Sequence, residues 1–280
     1  MSTFEGKVAL ISGAARGQGR EHALRLAKEG ADLALIDVAE ELHPGPDYPM
    51  PTEADLEATV REAEGLGARV VWRRGDVRDR ALLAELVDGA ASDLGGVDLV
   101  IANAGITTLG SAVEMSGEKW DEMMGINLTG AWNTVQAPLR GMIESDRGGS
   151  IVITSSTAGL IGMPGLAHYS AAKHGVVGLM KSLANELAPH GIRVNTVNPT
   201  NVGTTMILNQ GTYAHFRPDL ENPTKEDAEP AFMSYHLLQV PWIDVADVSN
   251  AVLWLLSDDA RYVTGATLPI DCGVLAKFPN

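Results

Sequence analysis

Seven short apolar runs recur along the chain: KVALIS (7–12), ADLALID (31–37), RVVWR (69–73), VDLVIAN (97–103), GSIVITS (149–155), IRVNTV (192–197) and ATLPID (266–271). Between them apolar positions return at helical spacing. In QGREHALRLAKEG (18–30), Ala23, Leu24 and Ala27 share a face, and RALLAELVDGAASDL (80–94) is similarly amphipathic. Strands alternating with helices predict βαβ units and a doubly wound, mostly parallel α/β sheet of seven strands with helices on both faces. The continuous run LVIA suits a strand buried on both sides.

Two connections exceed what a crossover needs. One runs from Asp37 to about Arg69 and contains Pro44, Pro46, Pro49 and Pro51. The other runs from Thr204 to about Asp244 and shows little regular pattern. Long connections in compact domains are usually functional. The expectation is one domain over residues 1–280, with an insertion at about 39–51 and a substrate lid at about 204–244. The prolines restrict backbone freedom, which suits a defined flap. Thr52 is expected to cap the helix that follows.

Composition narrows the function. The chain has 280 residues, 45% apolar and 20% charged, as in a soluble globular protein. No apolar run is long enough to span a bilayer, and the start lacks a secretory pattern. Cys272 is the only cysteine, so no intrachain disulfide is expected and a cytoplasmic location is the default. The net charge of −15 argues against nucleic acid as a partner. The histidines are scattered without metal-ligand spacing, so no metal site is expected. NLT at 127–129 fits a glycosylation sequon by accident.

The stretch ISGAARGQGREHA (11–23) sets Gly13, Gly17 and Gly19 between the first strand and its helix. Glycines let backbone approach a pyrophosphate closely, and a helix N-terminus presents free N–H groups to it. The G-x-x-x-G-x-G spacing differs from the commonest dinucleotide fingerprint, and a glycine turn used for packing is the plainer reading. Its place between strand and helix favours phosphate binding. Asp37 ends the second strand, where an acid takes ribose hydroxyls and repels the extra phosphate of NADP. Arg16 argues the other way, but a carboxylate directly at the 2′ position outweighs it. NAD is the expected cofactor. Asp76, in GDV (75–77), either holds the adenine amino group or caps a helix.

Tyr169 and Lys173 stand four residues apart in HYSAAKHG (168–175), on one helix face. An ammonium about 4 Å from the phenol, at an effective dielectric near 20, is worth about 4 kcal/mol. That predicts a phenol lowered by roughly 2–3 pH units, usable as an acid or base. Alone, the pair is most often a solvated ion-bearing face. Ser156, in IVITSSTAG (151–159), follows the fifth strand, at the end where such sheets hold ligands. NAG (103–105) follows the fourth strand, and Asn127 lies between. SAAK (170–173) also matches the S-x-x-K of acyl-transfer enzymes, but the companion motifs are missing.

Together these residues resemble the short-chain dehydrogenase/reductase family, from Gly6 to about Gly273. The resemblance implies a Rossmann-type fold, with Ser156, Tyr169 and Lys173 as catalytic serine, tyrosine and lysine. It implies that Asn127 holds a relay water beside Lys173, and that Lys173 also holds the nicotinamide ribose. It extends cofactor contacts to Gln18, Val77, Asn103, Ala104, Gly105 and Tyr169. NPTNVGT (198–204) is similar to the family's segment after the sixth strand, placing Pro199, Val202 and Thr204 at the cofactor, with Val202 at the carboxamide. Two positions depart: Thr200 stands for the usual glycine, and Gln18 for the usual aliphatic residue. GAARGQGR, YPM before ADL, and NPTNV with LPIDCG are similar to the carveol-dehydrogenase-like, mycofactocin-associated branch. That branch implies a tightly retained NAD reoxidised in place by a redox partner. The family also implies a homotetramer.

The expected reaction is hydride transfer between NAD and a hydrophobic secondary alcohol or its ketone. LIGMPG (160–165) and the 204–244 segment are expected to wall the substrate, with Leu160, Met163, Met206 and Phe232 foremost. Plain core packing is the alternative for each. These walls suit a terpenoid or other alicyclic alcohol better than a sugar or acid. The rival from another class is a dinucleotide-binding regulatory protein without turnover. An epimerase or dehydratase on the same fold usually brings a larger substrate domain, which is missing.

Overall fold

The computed structural model describes residues 3–43 and 45–277. Pro44, one of the four loop prolines, lies outside the described residues. Seven strands form one sheet: β1 (Val8–Ser12), β2 (Asp32–Asp37), β3 (Val70–Arg74), β4 (Leu99–Ala102), β5 (Gly149–Thr154), β6 (Ile192–Pro199) and β7 (Thr267–Ile270). Their order is β3-β2-β1-β4-β5-β6-β7, and every pair is parallel.

Among the described residues nine α-helices connect them: α1 (Gly17–Lys28), α2 (Glu53–Gly65), α3 (Arg80–Leu94), α4 (Gly117–Met124), α5 (Ala131–Glu144), α6 (Ala167–Leu187), α7 (Gln210–Phe216), α8 (Lys225–Tyr235) and α9 (Val245–Leu256). A π-turn over Gly125–Gly130 joins α4 to α5. Strand side chains alternate between faces. Ala9, Ile11, Leu33, Leu35 and Ile101 pack with Leu26, Leu56 and Val252 of α1, α2 and α9. Val8, Leu10, Ala34, Ile36 and Val100 pack with Leu86, Val135 and Met180 of α3, α5 and α6. Both faces are therefore covered, which explains the continuous apolar strands.

The strand order reverses between β1 and β4, and the two loops leaving their carboxyl ends must diverge there. The Ser12 hydroxyl closes the base of that crevice by accepting from the backbone N–H groups of Asn103, at 3.1 Å, and Ala104, at 3.2 Å. Thr52 caps α2 through a reciprocal box with Asp55. The segment from Thr204 to Asp244 is more regular than its sequence pattern suggested. It contains α7, capped by Asn209, and α8, capped by a Thr224–Asp227 box. Among the described residues, no helix is long and apolar enough to cross a membrane, and no group of three or more candidate metal ligands occurs.

Candidate active site

The turn after β1 is shaped by backbone contact. Gly13 (φ +72°) and Gly17 (φ +56°) are left-handed, and a Cβ on Gly19 would sit 2.0 Å from the Gly13 carbonyl oxygen. Gly19 thus brings α1 against the turn, whereas Gly13, Arg16, Gly17 and Gln18 line a cleft of about 560 Å³. No side chain caps α1 at Arg16, so its first N–H groups remain available to an anion. At the cleft's far end, Asp37 is 6% exposed. Its carboxylate accepts from Ala15 N–H at 2.9 Å and Ala39 N–H at 3.1 Å. Burial pushes Asp37 above the usual carboxylate range, while these bonds and Arg16 pull it back.

Asp76 and Val77 line the same cleft beyond β3. Asp76 is not a helix cap: Asp79 caps α3, accepting from Ala81 and Leu82 N–H. The Asp76 carboxylate instead grips Arg78 through its backbone N–H at 2.8 Å and its Nε at 2.9 Å. Asn103, Ala104 and Gly105 form the wall after β4. Asn103 donates to Ser12 O at 3.2 Å and accepts from the Thr154 hydroxyl at 3.3 Å.

The cleft adjoins a second cavity of about 130 Å³ lined by Ser156, Tyr169, Lys173, Pro199 and Val202, with Thr204 shared by both. Ser156 leaves β5 in extended conformation, and its hydroxyl donates to Pro199 O at 3.5 Å and accepts from Ala158 N–H at 3.1 Å, in the same cavity as the Tyr169 phenol. Lys173, one turn along α6, is 4% exposed, which excludes a solvated ion-bearing face. Its Nζ donates to Thr154 O at 2.8 Å and lies 5.6 Å from the Tyr169 ring centroid. Burial pulls Lys173 down to about 8. The expected lowering of the Tyr169 phenol is reversed: burial pushes it above its usual value, and the Ser156 hydroxyl offsets only part. The simple Coulomb expectation omitted desolvation of both partners, which acts against each charged form.

Asn127 sits in the π-turn, and its side chain is committed to Ile106 and, through Nδ2, to Met123 Sδ at 2.6 Å. Its Oδ1 accepts from Ile106 N–H at 2.9 Å and its Nδ2 donates to Ile106 O at 2.8 Å. It therefore anchors the segment after β4. Gly105 lies against both Asn127 and Lys173, since a Cβ there would be 2.8 Å from Asn127 Oδ1 and 3.5 Å from Lys173 Nζ.

The insertion after β2 closes over the cleft. Leu42, Tyr48, Met50 and Pro51 line it. Arg16, weighed from sequence as a phosphate contact, donates to Pro49 O at 2.7 Å, with its guanidinium carbon 5.8 Å from the Tyr48 ring centroid. The Tyr48 hydroxyl accepts from Thr107 N–H at 3.1 Å, across the crevice. Sequence reasoning missed Tyr48, although a lone aromatic among prolines was a visible signal.

Of the expected substrate walls, Met163 and Met206 line the second cavity. Leu160 does not; it packs against the core on the α6 face. Phe232 does not either. It is fully buried, 4.3 Å from Phe216 and 5.8 Å from Trp242 between ring centroids. The helix α8 turns Phe232 into its own packing. Ile207, from the expected 204–244 segment, also lines the second cavity, as do Leu166 and Thr107, which were not anticipated.

Comparison with known proteins follows the same outline. The profile of the family described as short chain dehydrogenase matches residues 7–212. The chain is 51% identical over 278 residues to (-)-trans-carveol dehydrogenase of Rhodococcus erythropolis, covering 99% of this chain and 100% of that protein. It superposes on the crystal structure of carveol dehydrogenase from Mycobacterium avium in complex with NAD at a TM-score of 0.97, with 49% identity, covering 99% of this chain and 100% of that one. It is also similar to levodione reductase, at a TM-score of 0.86 and 32% identity, covering 98% and 100%.

Proposed function

The chain belongs to the short-chain dehydrogenase family and is an NAD-dependent alcohol/ketone oxidoreductase; from that premise we propose that it acts on an alicyclic, terpenoid-like secondary alcohol or its ketone. One observation carries the reading. Ser156, Tyr169 and Lys173 share an apolar-walled cavity with Met163, Leu166 and Ile207, and this cavity adjoins the cleft ending at Asp37.

The cleft fits NAD chemically. Uncapped N–H groups at α1 match a diphosphate, and the Asp37 carboxylate matches ribose hydroxyls. Bound there, NAD would supply the hydride acceptor for the alcohol. Ser156 holds the substrate oxygen and Tyr169 exchanges its proton. In ketone reduction the neutral phenol donates, and its upward displacement keeps it protonated. In alcohol oxidation the phenol must first lose its proton, which a charged Lys173 favours. Asn127 contributes by fixing Ile106 and the wall beside Lys173.

The test is a comparison of kcat/KM across alicyclic secondary alcohols, sugars and hydroxy acids, with NAD and NADP. A charge at about 5 Å and an effective dielectric near 20 opposes a 2′-phosphate by about 3 kcal/mol per unit, so NAD should lead by about 100-fold. The preference should weaken as pH falls, because burial raises Asp37 and its protonation removes the repelling charge. Equal use of the two cofactors would remove Asp37 as the discriminator, and preference for sugars would remove the terpenoid reading.

Residues 39–51 then act as a flap that slows NAD release, supported by the Arg16–Pro49 and Tyr48–Thr107 contacts. Replacing the insertion with a short turn is expected to speed NAD dissociation at least about tenfold, the equivalent of about one to two lost contacts. Retention measured by ultrafiltration and nucleotide assay checks this; unchanged retention removes the flap. Reoxidation of retained cofactor by a redox partner, a cytoplasmic location and a homotetramer complete the proposal on the strength of family resemblance. Sedimentation analysis tests the last, a monomer being the contrary result.

A further inference from the structure

The cleft and the catalytic cavity meet at a waist lined by Gln18, Asn103, Gly105, Ile106, Thr204 and Met206. A dinucleotide reaching from Asp37 to Tyr169 crosses this waist. The Asn103 side chain is already engaged with Ser12 and Thr154. Gln18 differs: its Oε1 is buried and has no hydrogen-bond partner among the described residues. A buried amide oxygen lacking a donor is uncommon in a folded protein and marks a place where a ligand donor belongs.

We propose that Gln18 is a cofactor-positioning residue whose Oε1 accepts a hydrogen bond from the carboxamide N–H of the nicotinamide. Amide oxygens only accept. A diphosphate presents acceptors alone, so it does not match this atom. The nicotinamide half brings donors, namely the carboxamide N–H and the ribose hydroxyls. Lys173, on the catalytic side, is itself a donor and suits hydroxyl oxygens. The carboxamide needs both a donor for its oxygen and an acceptor for its nitrogen. Val202 backbone and the Gln18 side chain border the same cavity and supply one of each. An aliphatic residue at position 18 would leave the nitrogen only the Val202 carbonyl, which already accepts from Thr204 N–H at 2.6 Å. The glutamine therefore orients the ring by reading which end of the carboxamide is nitrogen.

This inference rests on the NAD reading above, and the experiment separates the two. Dissociation constants for NAD and for 3-acetylpyridine adenine dinucleotide, which replaces the carboxamide NH₂ with methyl, are measured by calorimetry on the full-length protein. Wild type should bind NAD about tenfold more tightly than the analogue, the effect of one net hydrogen bond. Gln18→Leu and the near-isosteric Gln18→Met should lose that tenfold for NAD and leave the analogue unchanged. Equal weakening of both dinucleotides would mean that the amide turns its N–H inward, and overturns the proposal. So would a wild type that binds both equally, a result that needs no variant to fold. A wild type that binds neither dinucleotide refutes the NAD reading itself.

Discussion

Tyr169→Phe is expected to lower NAD-dependent alcohol oxidation by about 10³-fold while leaving NAD affinity within about twofold. General acid–base transfer by a positioned side chain contributes about 10²–10⁴-fold, and among the described residues Tyr169 brings the one phenol that lines the cavity of Ser156. The substitution removes only the hydroxyl. The ring keeps its packing against the Leu42, Val77, Ile106 and Ile126 cluster. Ser156 keeps the Ala158 N–H bond at 3.1 Å, so the strand end stays formed. A melting temperature close to wild type checks that the fold is intact. Undiminished oxidation would remove Tyr169 from the chemistry and favour a regulatory dinucleotide binder, the rival reading of the same scaffold.

Lys173→Met is expected to do two opposite things: cut turnover by about 10³-fold and raise thermal stability at pH 7. Lys173 is 4% exposed and its value falls from 10.5 to about 8 through burial. The sign follows from proton linkage. The unfolded chain binds more protons than the folded one between about 8 and 10.5, so stability rises with pH across that window. Below it both states are charged and the folded protein carries the whole penalty, about 3 kcal/mol. Methionine removes this penalty with similar volume, but leaves the Thr154 carbonyl without its donor at a cost of about 1–2 kcal/mol. A net gain of roughly 1–2 kcal/mol corresponds to roughly 3–6 °C in Tm. The gain should fade above pH 10, where the wild-type lysine is neutral in both states. A variant destabilised at pH 7 and insensitive to pH would show that Lys173 is not held against a desolvation penalty.

The opposing effects illustrate why this pair was hard to read electrostatically from sequence. Four-residue spacing established that Tyr169 and Lys173 share a face. It did not establish that Lys173 reaches Thr154 O, nor that burial dominates both groups. Coulomb attraction is a pairwise quantity that spacing suggests, whereas desolvation depends on everything packed around the pair.

The substrate side shows the same division. Met163 and Met206 line the cavity that holds Ser156 and Tyr169, while Leu160 and Phe232 pack elsewhere. Apolar character was equally visible in all four. Which way each points depends on α8 and the turn after β5. The α8 capping box was available locally: Thr224 followed three residues later by an acid is a start signal. Reading it would have turned the supposed irregular lid into a helix with an inward face.

By itself the sequence determined the alternating strands and helices, the placement of Gly13, Gly17 and Gly19 at the passage from β1 to α1 and of Asp37 at the end of β2, and the Ser156, Tyr169 and Lys173 set. These follow from periodicity and turn chemistry, which act over a few residues. Only the tertiary structure decided that Arg16, at the cleft, holds Pro49 of the insertion, that Tyr48 reaches Thr107, and that Gln18 leaves an oxygen buried at the waist. Those contacts join segments brought together by the crossover order of the sheet. Their energies depend on desolvation and on which partners arrive, and no local pattern along the chain encodes either.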